Sequence, residues 1–112
     1  MMGFFENDCV SDHDHKRGIW ESVAFVYDKA ARTQTIVVNG AVVKTCRGSA
    51  PFQGTGTVYL GRWFHGEWKG QMSNVKMFNR ALTTNQIDAM QRNEQFDSCY
   101  DVCLMAHIRC RR

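Results

Sequence analysis

Asn39-Gly40 constrains this chain more than any other pair of residues. It stands between Ile36-Val37-Val38 and Ala41-Val42-Val43. A two-residue hairpin turn needs positive φ at both central positions, and Asn followed by Gly meets that need at least cost. The flanking residues are β-branched and suited to a pleated, half-buried surface. The dipeptide therefore predicts an antiparallel hairpin, with its first strand over residues 33–38. A lone hairpin is marginal in water, so further strands must join it. Residues 20–27 offer one. Val23, Phe25 and Tyr27 share one face and Ser22, Ala24 and Val26 the other. Both faces are largely apolar, which predicts a strand buried between two layers. Residues 28–32 read as a polar connection.

The rest of the chain is punctuated in the same way. Residues 2–8 suit a short strand, and residues 9–18, nearly without apolar side chains, a loop. Residues 47–56 hold Gly48, Gly54, Gly56 and the single proline, Pro51, and read as a loop. Thr57-Val58-Tyr59-Leu60-Gly61 predicts a strand. Residues 62–70 predict a loop dense in aromatics. Residues 70–79 alternate, with Ser73, Val75 and Met77 on one face, and predict another strand. Thr83-Thr84-Asn85-Gln86 has the form of a capping box, opening a two-turn helix to about Gln91 with Ile87 and Met90 on one side. No period organises residues 93–112, which are expected to be a poorly ordered tail.

Composition narrows the function classes. The 112 residues, 44% hydrophobic and 22% charged, suit one small globular domain. The net charge of +3 is spread over interspersed charges of both signs, with no basic stripe for nucleic acid. No apolar run is long enough for membrane insertion. Met1-Met2-Gly3-Phe4-Phe5 gives way at once to Glu6 and Asp8 and does not read as a signal peptide. The five cysteines, at positions 9, 46, 99, 103 and 110, lean towards an oxidising compartment, and their odd number leaves at least one thiol unpaired in a monomer. Cys9 and Cys46 both fall in expected loops, and their pairing is open. Cys99, Cys103, His107 and Cys110 offer metal ligands, but at a spacing that matches no standard zinc motif. No nucleophile elbow, phosphate loop or helical His-Glu-x-x-His is present, so no enzyme activity is expected.

Four segments, in order, resemble the laminin-G-like, concanavalin A-like jelly-roll family. Trp20-Glu21-Ser22-Val23-Ala24-Phe25-Val26-Tyr27-Asp28 is similar to its W-x-H-V-A-x-x-Y-D strand. Thr35-Ile36-Val37-Val38-Asn39-Gly40-Ala41-Val42-Val43 is similar to its hairpin, and Val58-Tyr59-Leu60-Gly61-Arg62 to its I-G-R strand. Gly70-Gln71-Met72-Ser73-Asn74-Val75-Lys76-Met77-Phe78-Asn79-Arg80-Ala81-Leu82 is similar to its closing motif, which leads into the short helix. Ser73 replaces the family's acidic residue in that motif, and Ser22 the histidine of the first strand. The segments match the C-terminal half of such a domain. The resemblance implies an all-β partial jelly-roll sandwich of antiparallel strands with one short C-terminal helix, over residues 1–92. With the earlier strands absent, an apolar face and a sheet edge should lie open, favouring a strand-paired homodimer or a piece of a longer chain.

By that resemblance the chain is an extracellular, non-catalytic recognition module for a glycan or a protein. The alternatives are a structural or assembly fragment, or an accessory domain of a glycan hydrolase. The ligand-binding candidates are Arg62, Trp63, His65 and Trp68, because exposed aromatics stack on sugar faces or anchor protein partners. Trp68 also occupies a place where the family sets a core aromatic, and burial is the first expectation for it. Asn7, Asp8, Asp12 and Asp14 are candidate Ca²⁺ ligands in an oxygen-rich loop, and the alternation of Asp12-His13-Asp14-His15 suits a transition metal instead. A glycosidase-like carboxylate pair would have to come from Glu6, Glu21 and Glu67.

Overall fold

The computed structural model describes residue 2 and residues 7–51, 55, 57, 59–63 and 66–92. Asn39 and Gly40 both take positive φ, 50° and 79°, and reverse the chain between β2 (Thr33–Val38) and β3 (Ala41–Arg47). β1 (Val23–Asp28) pairs antiparallel with the other side of β2, giving the sheet order β1-β2-β3. Val23 lies opposite Val38, and Phe25 opposite Ile36. On the hairpin side Ile36 faces Lys44 while Val37 faces Val42. Val43 is thus the extra residue of a bulge, which bends that strand and increases the local twist.

The core sits on β2, whose backbone is flanked on both sides. Ile36 and Val38 pack with Cys9 in a buried cluster edged by Met2, Val43 and Cys46. Cys9 reaches the sheet from the loop before β1 and forms a disulfide with Cys46. Backbone hydrogen bonds at 2.8 Å in both directions bridge Met2 to Cys9. Cys46 therefore lies in β3, not in a loop, because the strand runs on to Arg47. Below the hairpin, Asp28 Oδ1 accepts the Ala31 N–H at 3.0 Å. Arg32 then donates through Nε to the Ser49 carbonyl at 3.1 Å, and Tyr27 Oη donates to the Ala50 carbonyl at 3.2 Å. These bonds hold the loop after β3 against the β1–β2 connection.

Helix α1 (Thr84–Gln91) begins as its capping box requires. The Thr83 hydroxyl accepts from Gln86 N at 3.2 Å, and the Gln86 side chain accepts from Thr83 N at 2.9 Å. Ile87 is buried. The C-terminal half of α1 lies against the hairpin turn, where a Cβ on Gly40 would come within 2.7 Å of Asp88 Oδ1. Gly40 is required by its positive φ, and a Cβ there would also push aside the Asp88 side chain. Asp88 also pairs with Arg92 one turn on.

The antiparallel sheet and the one short helix among the described residues agree with the expected fold class, with differences in detail. β1 is not buried on both faces: Val23 and Phe25 are exposed. Among the described residues, none of 57, 59–61 or 70–79 lies in a strand. A strand needs a partner for its backbone N–H and C=O groups, and alternation along one segment supplies none. A short ladder forms instead within the aromatic segment, where β4 (Arg62–Trp63) pairs with β5 (Gly66–Glu67). The expected tail at 93–112, with its cysteines, lies outside the described residues.

Candidate functional site

Two sets of side chains stand out, one in the aromatic segment and one in the loop before β1. In the first, Trp68 donates its backbone N–H to the Gly61 carbonyl at 2.6 Å, closing the β4–β5 ladder at its base. Gly61 has φ 71°, and a Cβ there would meet Met72 Cε at 3.2 Å and Trp68 Cβ at 3.3 Å. The indole lies across Gly70, where an added Cβ would fall 2.8 Å from Trp68 Nε1 and 3.1 Å from Cε2. Trp68 is nevertheless 59% exposed, so the expectation of a core tryptophan is corrected. Among the described residues no second apolar layer covers it, and the ring lies against the backbone of Gly70. Tyr59, 65% exposed, stands nearby in sequence, and the Arg62 guanidinium lies 5.8 Å from its ring centroid, within cation–π range. Trp63 lies in β4 opposite Gly66, and His65 lies outside the described residues.

The second set starts at Glu21. Its neighbour Ser22 is bracketed to the hairpin turn: Ser22 N donates to Asn39 Oδ1 at 3.0 Å, and Asn39 N donates to the Ser22 carbonyl at 2.8 Å. Glu21 is thereby anchored at the start of β1. His13 Nε2 lies 3.0 Å from Glu21 Oε1, and His15 Nδ1 lies 2.6 Å from Oε2. The two imidazoles meet edge to face with centroids 4.7 Å apart. Hydrogen bonds from His15 and then His13 hold the Glu21 carboxyl below the usual carboxylate range, against a smaller opposing effect of burial. Glu21 is therefore ionised at neutral pH.

The proposed calcium ligands are placed differently. Asn7 Oδ1 accepts the Ala50 N–H at 3.5 Å, tying the first loop to the loop after β3. Asp8, Asp12 and Asp14 are exposed. Along residues 12–15 the alternation turns the histidines towards Glu21 and leaves the aspartates in solvent. Among the described residues, the His, Cys, Asp and Glu side chains that converge to metal-binding distance are His13, His15 and Glu21. The sequence hinted at this through its Asp/His alternation. Glu21 was not legible as the third member, because only the curl of the loop brings it back. Tyr59, Gly70 and Met72 were likewise absent from the expected ligand set.

Residues 4–88 match the family described as the concanavalin A-like lectin/glucanases superfamily, and the chain belongs to that family. Its fold is similar to a crystal structure of residues 221–444 of an S-layer domain-containing protein from Clostridium thermocellum, with a TM-score of 0.61 at 22% identity. The match covers 71% of this chain and 42% of that one. No curated protein matches the sequence.

Proposed function

We propose that this chain is a non-catalytic recognition module that binds a carbohydrate through the segment from Tyr59 to Met72. The observation that carries the reading is the exposed Trp68 indole laid across Gly70. A fixed, solvent-facing aromatic gives the apolar face of a sugar ring a surface to stack on at little entropic cost. Arg62, beside Tyr59, offers further hydrogen-bond donors in the same segment. Membership of a lectin and glucanase superfamily supports a carbohydrate ligand. A binding role is further supported by Glu21, which commits both carboxylate oxygens to His13 and His15 and so does not serve as a free glycosidic acid or base. The Cys9–Cys46 disulfide and the S-layer domain-containing protein of similar fold support an extracellular setting.

The test is a screen of immobilised polysaccharides, followed by titration of the hit with and without Ca²⁺. Trp68→Ala should weaken binding by about tenfold, or about 1.4 kcal/mol, with thermal unfolding unchanged. Gly70→Ala should act in the same direction by displacing the indole. Binding that ignores both changes places the ligand elsewhere. A rise in affinity with Ca²⁺ that is lost in Asp12→Asn or Asp14→Asn would give calcium a supporting part.

A further inference from the structure

We infer that His13, His15 and Glu21 form a binding site for a divalent transition-metal ion of the zinc class, separate from the aromatic platform. The donor atoms are His13 Nε2, His15 Nδ1 and the Glu21 carboxylate, and all lie within 4.8 Å of one another. Two imidazoles and one carboxylate are a donor set that zinc-class ions prefer, whereas calcium takes an all-oxygen shell of six to eight ligands. Around a tetrahedral ion with bonds of about 2.0–2.1 Å, neighbouring donors sit about 3.3 Å apart. The contacts of 3.0 Å from His13 Nε2 to Glu21 Oε1 and 2.6 Å from His15 Nδ1 to Oε2 are shorter hydrogen-bond distances to two different oxygens, so an ion entering between the groups would spread the donors apart. His15 is half exposed and has the freedom to make the adjustment.

The backbone supports the same conclusion. Glu21 is fixed by the Ser22–Asn39 bracket at the hairpin turn. His13 is held by its own N–H, which donates to Ser11 Oγ at 3.0 Å. His13 and His15 are alternate residues and present their rings to one side. Metal uptake needs no redox partner. In the metal-free site the nitrogens that face Glu21 carry the protons they donate to it. On metal uptake each of those protons leaves to solvent, the ring keeps or takes one on its other nitrogen, His13 Nδ1 and His15 Nε2, and the freed lone pair goes to the ion. Three protein ligands leave a coordination position open to water on the exposed His15 side. His13 and His15 would join the ion to the loop before β1 and Glu21 would join it to the start of the sheet, so an occupied site pins residues 13–15 to the sheet.

The experiment uses the full chain with Cys99→Ser, Cys103→Ser and Cys110→Ser, which removes competing thiols while keeping the Cys9–Cys46 disulfide. After chelation, Zn²⁺ is titrated by calorimetry, and Co²⁺ is titrated by its visible absorption. One equivalent of Zn²⁺ is expected, together with a Co²⁺ spectrum of low coordination number and a raised unfolding temperature. Glu21→Gln and His13→Ala should each weaken binding on the order of 100-fold, since even outer partners of a metal site change affinity 10–100-fold. Circular dichroism of the metal-free variants reports whether the sheet is retained. Absence of saturable Zn²⁺ binding, or equal affinity in a folded Glu21→Gln variant, would overturn the assignment. So would stronger stabilisation by Ca²⁺ than by Zn²⁺. Glycan binding is read separately through Trp68→Ala, so the two proposals stand or fall apart.

Discussion

At the scale of single residues, the Cys9–Cys46 bond has the widest reach. It joins positions 37 apart and ties the first loop to the outer strand of the sheet. In the chain-entropy account, closing a loop of that size restricts the unfolded state by about 4 kcal/mol. Small domains hold only about 5–15 kcal/mol in total. Replacing both cysteines by serine, or reducing the wild type, should therefore lower the urea midpoint sharply, with a loss of about 2–4 kcal/mol in denaturant titrations. A shift below about 0.5 kcal/mol would mean that the bond constrains nothing that the sheet does not already fix. The sequence left this pairing open because it depends on where two distant segments meet. The same holds for Glu21, whose histidine partners lie six and eight positions earlier. Asn39-Gly40, by contrast, was readable because the φ requirement of a two-residue turn is local.

Among the elements, locality again separates what was legible from what was not. The bounds of β2 and α1 follow from the turn dipeptide and the capping box, which act within a few residues. The alternation at residues 70–79 was equally clear, yet no strand forms there among the described residues. Whether an alternating segment becomes a strand is decided by its neighbour and not by its own period. The aromatic segment shows the converse, since Arg62 and Trp63 pair with Glu67 and Gly66 despite their loop-like composition. The helix makes this measurable. Eight residues are too few for stability in isolation, so α1 rests on its cap and on the burial of Ile87. Thr83→Ala removes an acceptor and should cost about 1 kcal/mol in equilibrium unfolding, with faster amide exchange confined to the first turn. Thr83→Ser should recover most of the loss. An equal loss in the serine variant would assign the effect to packing of the threonine methyl group.

For the whole molecule, the decisive feature is a sheet with apolar surface left open among the described residues. Phe25 is 54% exposed on β1, and Val23, two residues away on the same face, is also open to solvent. Among the described residues, β1 and β3 are the two edge strands of this sheet. A closed jelly roll would set a second sheet over such a face. In the Clostridium thermocellum structure of similar fold, the matched part is 42% of the chain. Burying Phe25 and Val23 against a second copy removes that surface from water at about 25 cal/mol per Å² of apolar area. Sedimentation of the purified chain should therefore show a monomer–dimer equilibrium that tightens as concentration rises. Phe25→Lys should shift it to monomer without lowering the unfolding midpoint, because that side chain contributes little burial within one copy. A wild-type chain that stays monomeric at millimolar concentration would rule out edge or face pairing. A Phe25→Lys variant that remains dimeric would move the contact to the outer edge of β3, where Lys44 and Arg47 already place charge against a close strand-to-strand approach.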